Sequence, residues 1–313
     1  MKIAFLLLVV PFLSAYSFII GEQDGSVSVP LSAQKTVVDV VVELKLNILV
    51  DLVKRAGLVE TLMGPGPFTV FGPTDDAFEA LPFEVRQKLA ENKTLLTEVL
   101  EYHVVGGAVF SKDIAQDKLV PSVLKDNIRF NTYPVAGPVK KVTATGSLID
   151  LSRVDQNASN GVVHVLDKVM FPVPRQNLVE TAKRIPELKS LVEALVKTNL
   201  TSALAGAGNF TVFAPNNKAF SKVPAKVSAD IDLLTSILLY HVSASPTLYS
   251  VGLEDSQQIP TLNTKNSLTI NLKDGQVQVA NSTDFHATVL MADGSVSNGV
   301  IHVIDEVLLP PSA

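Results

Sequence analysis

The sequence predicts an α+β protein made of two tandem copies of one domain. Three observations predict it: blocks of sequence recur about 140 residues apart, each copy opens on helical periodicity, and each closes on alternating strands. The first block, Phe68-Thr69-Val70-Phe71-Gly72-Pro73-Thr74-Asp75-Asp76-Ala77-Phe78, returns as Phe210-Thr211-Val212-Phe213-Ala214-Pro215-Asn216-Asn217-Lys218-Ala219-Phe220. Tyr102-His103-Val104 returns as Tyr240-His241-Val242, and Asn160-Gly161-Val162-Val163-His164 as Asn298-Gly299-Val300-Ile301-His302. A period of this size is that of a whole domain, not of a solenoid repeat.

The elements follow in order. Leu46, Leu49, Val50 and Val53 have the 0, 3, 4, 7 spacing of one helical face, and Leu188, Leu191, Val192 and Leu195 repeat it. A short strand follows at 68–71 and at 210–213. Thr74-Asp75 and Asn216-Asn217 then read as helix N-caps. The next helix carries the Tyr-His pair. In the second copy, Leu268, Ile270 and Leu272 alternate, Asp274-Gly275 predicts a type I′ turn, and Val277 and Val279 alternate back. The apolar runs 162–169 and 300–307 predict a central strand in each copy. The expected organisation is a signal peptide at 1–17, an N-terminal segment at 18–34, domains at 35–172 and 173–310, and a tail at 311–313. Phe171-Pro172-Val173-Pro174 reads as a short stiff linker.

Composition narrows the function. The 313 residues are 47% hydrophobic and 18% charged, with a net charge of −5. That is core-forming material without the basic excess that binding nucleic acid requires. The absence of Cys removes disulfides, thiolate nucleophiles and Cys-ligated metals. Lys2, the apolar run from Ile3 to Leu13 and the small residues Ala15 and Ser17 match a cleaved secretory leader. Its loss takes the one charge of Lys2, leaving −6. No later segment reaches the ~18 apolar residues that span a bilayer, and no lipid-anchor signal closes the chain. Five sequons accord with secretion, at Asn92, Asn157, Asn199, Asn209 and Asn281; Asn209 abuts an apolar strand and is the weakest acceptor.

Catalytic signatures are missing. There is no Gly-x-Ser-x-Gly elbow, His-Glu-x-x-His, Walker loop or calcium loop. Leu96, Val99, Leu100 and His103 share one helical face, as do Leu234, Ile237, Leu238 and His241, so both histidines belong to an apolar stripe. A histidine so placed is a satisfied core residue more often than a ligand. The expectation is a structural latch from His103 to Thr74 and Asp75, and from His241 to Asn216 and Asn217. His164 and His302 read as strand residues, and His286 as exposed. No cofactor or metal site is expected.

These blocks, in order and twice each, resemble the secreted tandem fasciclin-1 (FAS1) domain proteins, the family of fasciclin I, periostin and the TGF-β-induced matrix protein. The resemblance spans nearly the whole chain after the leader. It implies a β-wedge of two sheets, about seven strands in all, flanked by several helices in each domain. It implies a secreted, non-enzymatic protein that binds a cell-surface receptor, a matrix protein or itself. It carries over Tyr102, Tyr240, Leu100 and Leu238 as contact residues, and Asp155 and Asp293 from an Asp-Ile motif whose Ile is absent here. An extracellular carrier of an apolar ligand, or a structural component of a secreted matrix, mineralised or not, is the alternative.

Overall fold

A computed structural model describes residues 35–134, 140–244, 246–281 and 285–311. The expected leader, 1–17, and segment 18–34 lie outside the described residues. The first domain contains α1 (Val37–Glu43), α2 (Asn47–Ala56), α3 (Val59–Met63), β1 (Phe68–Pro73), α4 (Asp75–Glu79), α5 (Phe83–Glu91), α6 (Lys93–Tyr102), β2 (Val104–Gly106), β3 (Lys118–Pro121), β4 (Asn127–Pro134), β5 (Lys140–Ala144), β6 (Ser147–Leu148), β7 (Gln156–Ala158) and β8 (Gly161–Leu166). The second contains α7 (Leu178–Ala182), α8 (Lys189–Lys197), α9 (Thr201–Ala205), β9 (Phe210–Pro215), α10 (Asn217–Ser221), α11 (Ala225–Ala229), α12 (Ile231–Tyr240), β10 (Val242–Ser243), β11 (Gln258–Pro260), β12 (Ser267–Lys273), β13 (Gln276–Ala280), β14 (His286–Val296) and β15 (Gly299–Ile304).

The two recurring apolar blocks pair with each other. β1 lies parallel to β8, and β9 parallel to β15. Each pair sits inside its sheet, and its residues are almost all buried. Strands covered on both faces need continuous apolar runs, which is why both blocks lack polar alternation. The amphipathic helices pack one face against this pair. Leu46, Leu49 and Val53 are buried in the first domain and Leu188, Leu191 and Leu195 in the second. Asp274 and Gly275 have φ of 51° and 76°, the positive values that a type I′ turn requires.

The sheets of the two domains differ. In the first domain, β2-β1-β8-β7 and β3-β4-β5-β6 are separate four-stranded sheets. In the second, all seven strands form one sheet, β10-β9-β15-β14-β13-β12-β11. The cause is β14, whose eleven residues pair with β13 at one end and with β15 at the other, across two register shifts. The matching stretch of the first domain is broken, because Asp150 accepts bonds from Ser152 and Arg153 and turns the chain there. The domains are not independent beads. Tyr133 of β4 belongs to the second domain's apolar core.

Candidate functional site

The Tyr-His pair closes each domain from within. His103 follows α6 as its C-cap and is buried. Its Nδ1–H donates to Val99 O at 2.7 Å, and its Nε2 accepts from the Met170 amide at 3.0 Å. His241 repeats both bonds, to Ile237 O at 2.8 Å and from Leu308 N at 3.0 Å. Each imidazole therefore joins the end of its helix to the chain just past the central strand. Burial holds both neutral, with the pKa lowered to about 4.

The expected latch partners do something else. Thr74 and Asn216 cap α4 and α10, accepting from Ala77 N and Ala219 N. Asp75 accepts from Ile48 N at 2.9 Å, and Asn217 from Ser190 N at 2.8 Å. These residues tie the cap to the first long helix of each domain. The histidines reach backbone groups instead, which correct the expected side-chain partners.

The tyrosines are also structural. Tyr102 and Tyr240 are 0% exposed. The Tyr102 hydroxyl donates to Asn127 O at 2.8 Å, and the Tyr240 hydroxyl to Ser267 O at 3.0 Å. Burial raises both hydroxyl pKa values, that of Tyr240 to about 12. Leu100 and Leu238 are buried beside them. A receptor or matrix protein docked on the surface cannot reach any of these four side chains, which corrects the expectation of direct contact.

Asp155 and Asp293 are tied down in the same manner. Asp155 accepts from Ser111 N at 2.8 Å and from the Ser111 hydroxyl. Asp293 accepts from Ser250 N at 2.6 Å and from the Ser250 hydroxyl at 2.5 Å. Each backbone amide also donates to a histidine Nδ1, Asp155 to His164 at 3.2 Å and Asp293 to His302 at 3.3 Å. The Nε2–H of these histidines donates to Val109 O and Leu248 O, both at 2.8 Å. Burial lowers both imidazole pKa values. Each domain thus holds two buried neutral histidines in opposite tautomers. His286 is exposed. No group of His, Cys, Asp or Glu among the described residues is placed to hold a metal.

A buried polar junction joins the domains, and the sequence reading missed it. Arg129 of β4 is 3% exposed. Its Nη1 lies 3.4 Å from Asp117 Oδ1 and donates to Asn209 Oδ1 at 2.6 Å, while Nη2 donates to Ser297 O at 3.2 Å. Asn131 Nδ2 donates to Asp117 Oδ1 at 2.9 Å and to Thr247 O at 3.2 Å. The Tyr133 hydroxyl donates to Thr247 O and accepts from Tyr249 N. A Cβ on Gly146 would fall 2.5 Å from the Tyr249 ring, so only glycine admits that close approach. The linker is pinned as well, with Arg175 Nε 2.8 Å from Asp126 Oδ1.

The sequons differ in access. Asn92, Asn157 and Asn199 are exposed. Asn209 is half-buried on Arg129, and Asn281 is buried with its Nδ2 donating to Leu309 O at 3.0 Å.

Comparison with known proteins follows this duplication. The Fasciclin domain family matches twice, at residues 44–172 and 186–310. Transforming growth factor-beta-induced protein ig-h3 of Sus scrofa is 30% identical over 95% of this chain and 42% of its own length. Periostin of Homo sapiens is 27% identical over 82% of this chain and 30% of its own. The chain thus spans less than half the length of these two relatives. Immunogenic protein MPB70 of Mycobacterium bovis is 31% identical over 60% of this chain and 99% of its own length. Among solved structures, a FAS1 domain pair from the insect cell adhesion molecule fasciclin I covers 84% of this chain and 96% of its own, with 19% identity and a TM-score of 0.42.

Proposed function

The chain belongs to the fasciclin-domain family, and on that premise we propose that it is a secreted, non-enzymatic adhesion or matrix protein. It binds a cell-surface receptor, a matrix protein or a second copy of itself. The observation that carries this reading is the use made of the reactive side chains. The four buried histidines spend both ring nitrogens on backbone groups, which leaves them no proton to exchange with a substrate. Binding then falls to the outer surface. The Tyr-His helices expose different faces there: Thr94 and Glu98 on α6, Ile231 and Asp232 on α12. Two unlike faces on one chain suit contacts with two partners, and pairing weak contacts raises avidity. Domains at 35–172 and 173–310 form this unit, and Asn92, Asn157 and Asn199 carry the glycans.

Beads coated with the full-length secreted protein test the reading. They are expected to clump or to capture cells, and substitutions Glu98→Arg and Ile231→Asp are expected to reduce capture without loss of fold. Bare-bead levels of clumping and capture by the well-folded protein would refute it.

A further inference from the structure

The helical end of the first domain holds an apolar cavity of about 120 Å³, partly open to the surface. Val37 and Val41 of α1 and Val53 of α2 form its walls, with Val70 and Leu100 beneath them. His103 also borders it, but both ring nitrogens are already bonded to backbone groups, so no free polar atom of that ring enters the space. Val42, 54% exposed, stands at the mouth with Lys54. Among the described residues Lys54 forms one ion pair, with Asp51 at 3.8 Å and both side chains well exposed, and such a pair is weak enough to be displaced.

The second domain shows how the lining of this end differs between the copies. Val37 N bonds Asn160 Oδ1 just as Leu178 N bonds Asn298 Oδ1, so Val37 and Leu178 are counterparts. By the 0, 3, 4, 7 stripe, Val53 matches Leu195 and Lys54 matches Val196. The first domain thus has valines at 37 and 53 where the second has larger leucines, the larger Val41 where the second has Ala182, and its cation on α2, at Lys54, where the second has Lys183 in place of Val42. Dry apolar cavities of about 150 Å³ take up small apolar molecules such as benzene, so this one has room for about five carbons.

We propose that this cavity binds the tail end of a single-chain amphiphile with an acidic head, the tail between α1 and α2 and the carboxylate at Lys54. The site is independent of the adhesive reading. It would stand if bead adhesion failed.

Isothermal titration of the full chain with sodium octanoate tests it, with octylammonium as the oppositely charged probe. One saturable octanoate site is expected, with octylammonium at least tenfold weaker. Val37→Leu with Val53→Leu places the second domain's own residues in the cavity, and is expected to weaken octanoate at least tenfold while the unfolding midpoint holds or rises. Lys54→Glu is expected to reverse the preference between the probes. Methyl NOEs from octanoate to Val37 and Val53 in the unmutated protein give a readout that needs no variant. No saturable binding, binding undiminished in the double valine variant, no preference between the probes, or NOEs elsewhere would each overturn the proposal.

Discussion

β4 of the first domain and β12 of the second are the same strand of the same fold, with opposite fates. Each accepts its domain's tyrosine hydroxyl at its first residue, Asn127 O or Ser267 O. Two, four and six residues on, β4 carries Arg129, Asn131 and Tyr133, while β12 carries Thr269, Asn271 and Lys273. The first set is buried against the other domain. The second is half-buried at Thr269 and Asn271 and exposed at Lys273. Inside each domain the duplicated bonds are conserved almost atom for atom. On this outer face they are not, since only one copy has a neighbour to meet. The difference teaches that the latches make the domain and the junction makes the pair.

Arg129→Leu breaks the comparison hardest. It leaves the Asp117 carboxylate buried without its cation, which costs about 3–5 kcal/mol. Thr269→Leu at the matching site is expected to stay within about 0.5 kcal/mol. Urea unfolding of both variants checks the contrast. Next come the latches: His103→Ala and His241→Ala should each lose about 1–3 kcal/mol by orphaning a buried carbonyl and amide. An unchanged melting temperature in either would sink the latch.

The histidines also give a pH dependence. Their folded pKa lies near 4, below the unfolded value of about 6.5, so the unfolded chain binds more protons between the two. Their contribution is complete above about pH 6.5 and falls by up to about 1.4 kcal/mol per pH unit per histidine toward pH 4. Denaturation midpoints at pH 7 and pH 5 should show the loss, and the slope should shrink in His241→Ala. The smallest effect is at the caps. Asp75→Asn keeps an acceptor for Ile48 N and loses the charge at the start of α2 together with the exposed bond that Asp75 Oδ2 accepts from Asn47 Nδ2, about 0.3–1 kcal/mol for the charge.

The duplication, the helix stripes and the central strands could be read directly, because periodicity and burial impose them on the residues. The burial of His103 and His241 was legible by the same spacing. So was that of Tyr102, three residues past Val99 on one stripe, although family resemblance argued for contact. The latch partners were not legible, because backbone amides and carbonyls have no signature in a sequence. Nor was the junction. Arg129, Asn131 and Tyr133 alternate as in any half-exposed strand, and Arg129 finds its partners 80 and 168 residues away. Two sheets per domain were expected from the resemblance and the first domain has them; their fusion into one sheet in the second was not legible, since it rests on the long, shifted pairing of β14.

The most direct test of the central claim, that two domains act as one unit, is scanning calorimetry of the full chain beside Arg129→Leu. The account predicts one cooperative transition for the unmodified protein, with calorimetric and van't Hoff enthalpies equal, and two separated transitions for the variant. Two transitions in the unmodified protein, or one unshifted transition in both, would contradict it.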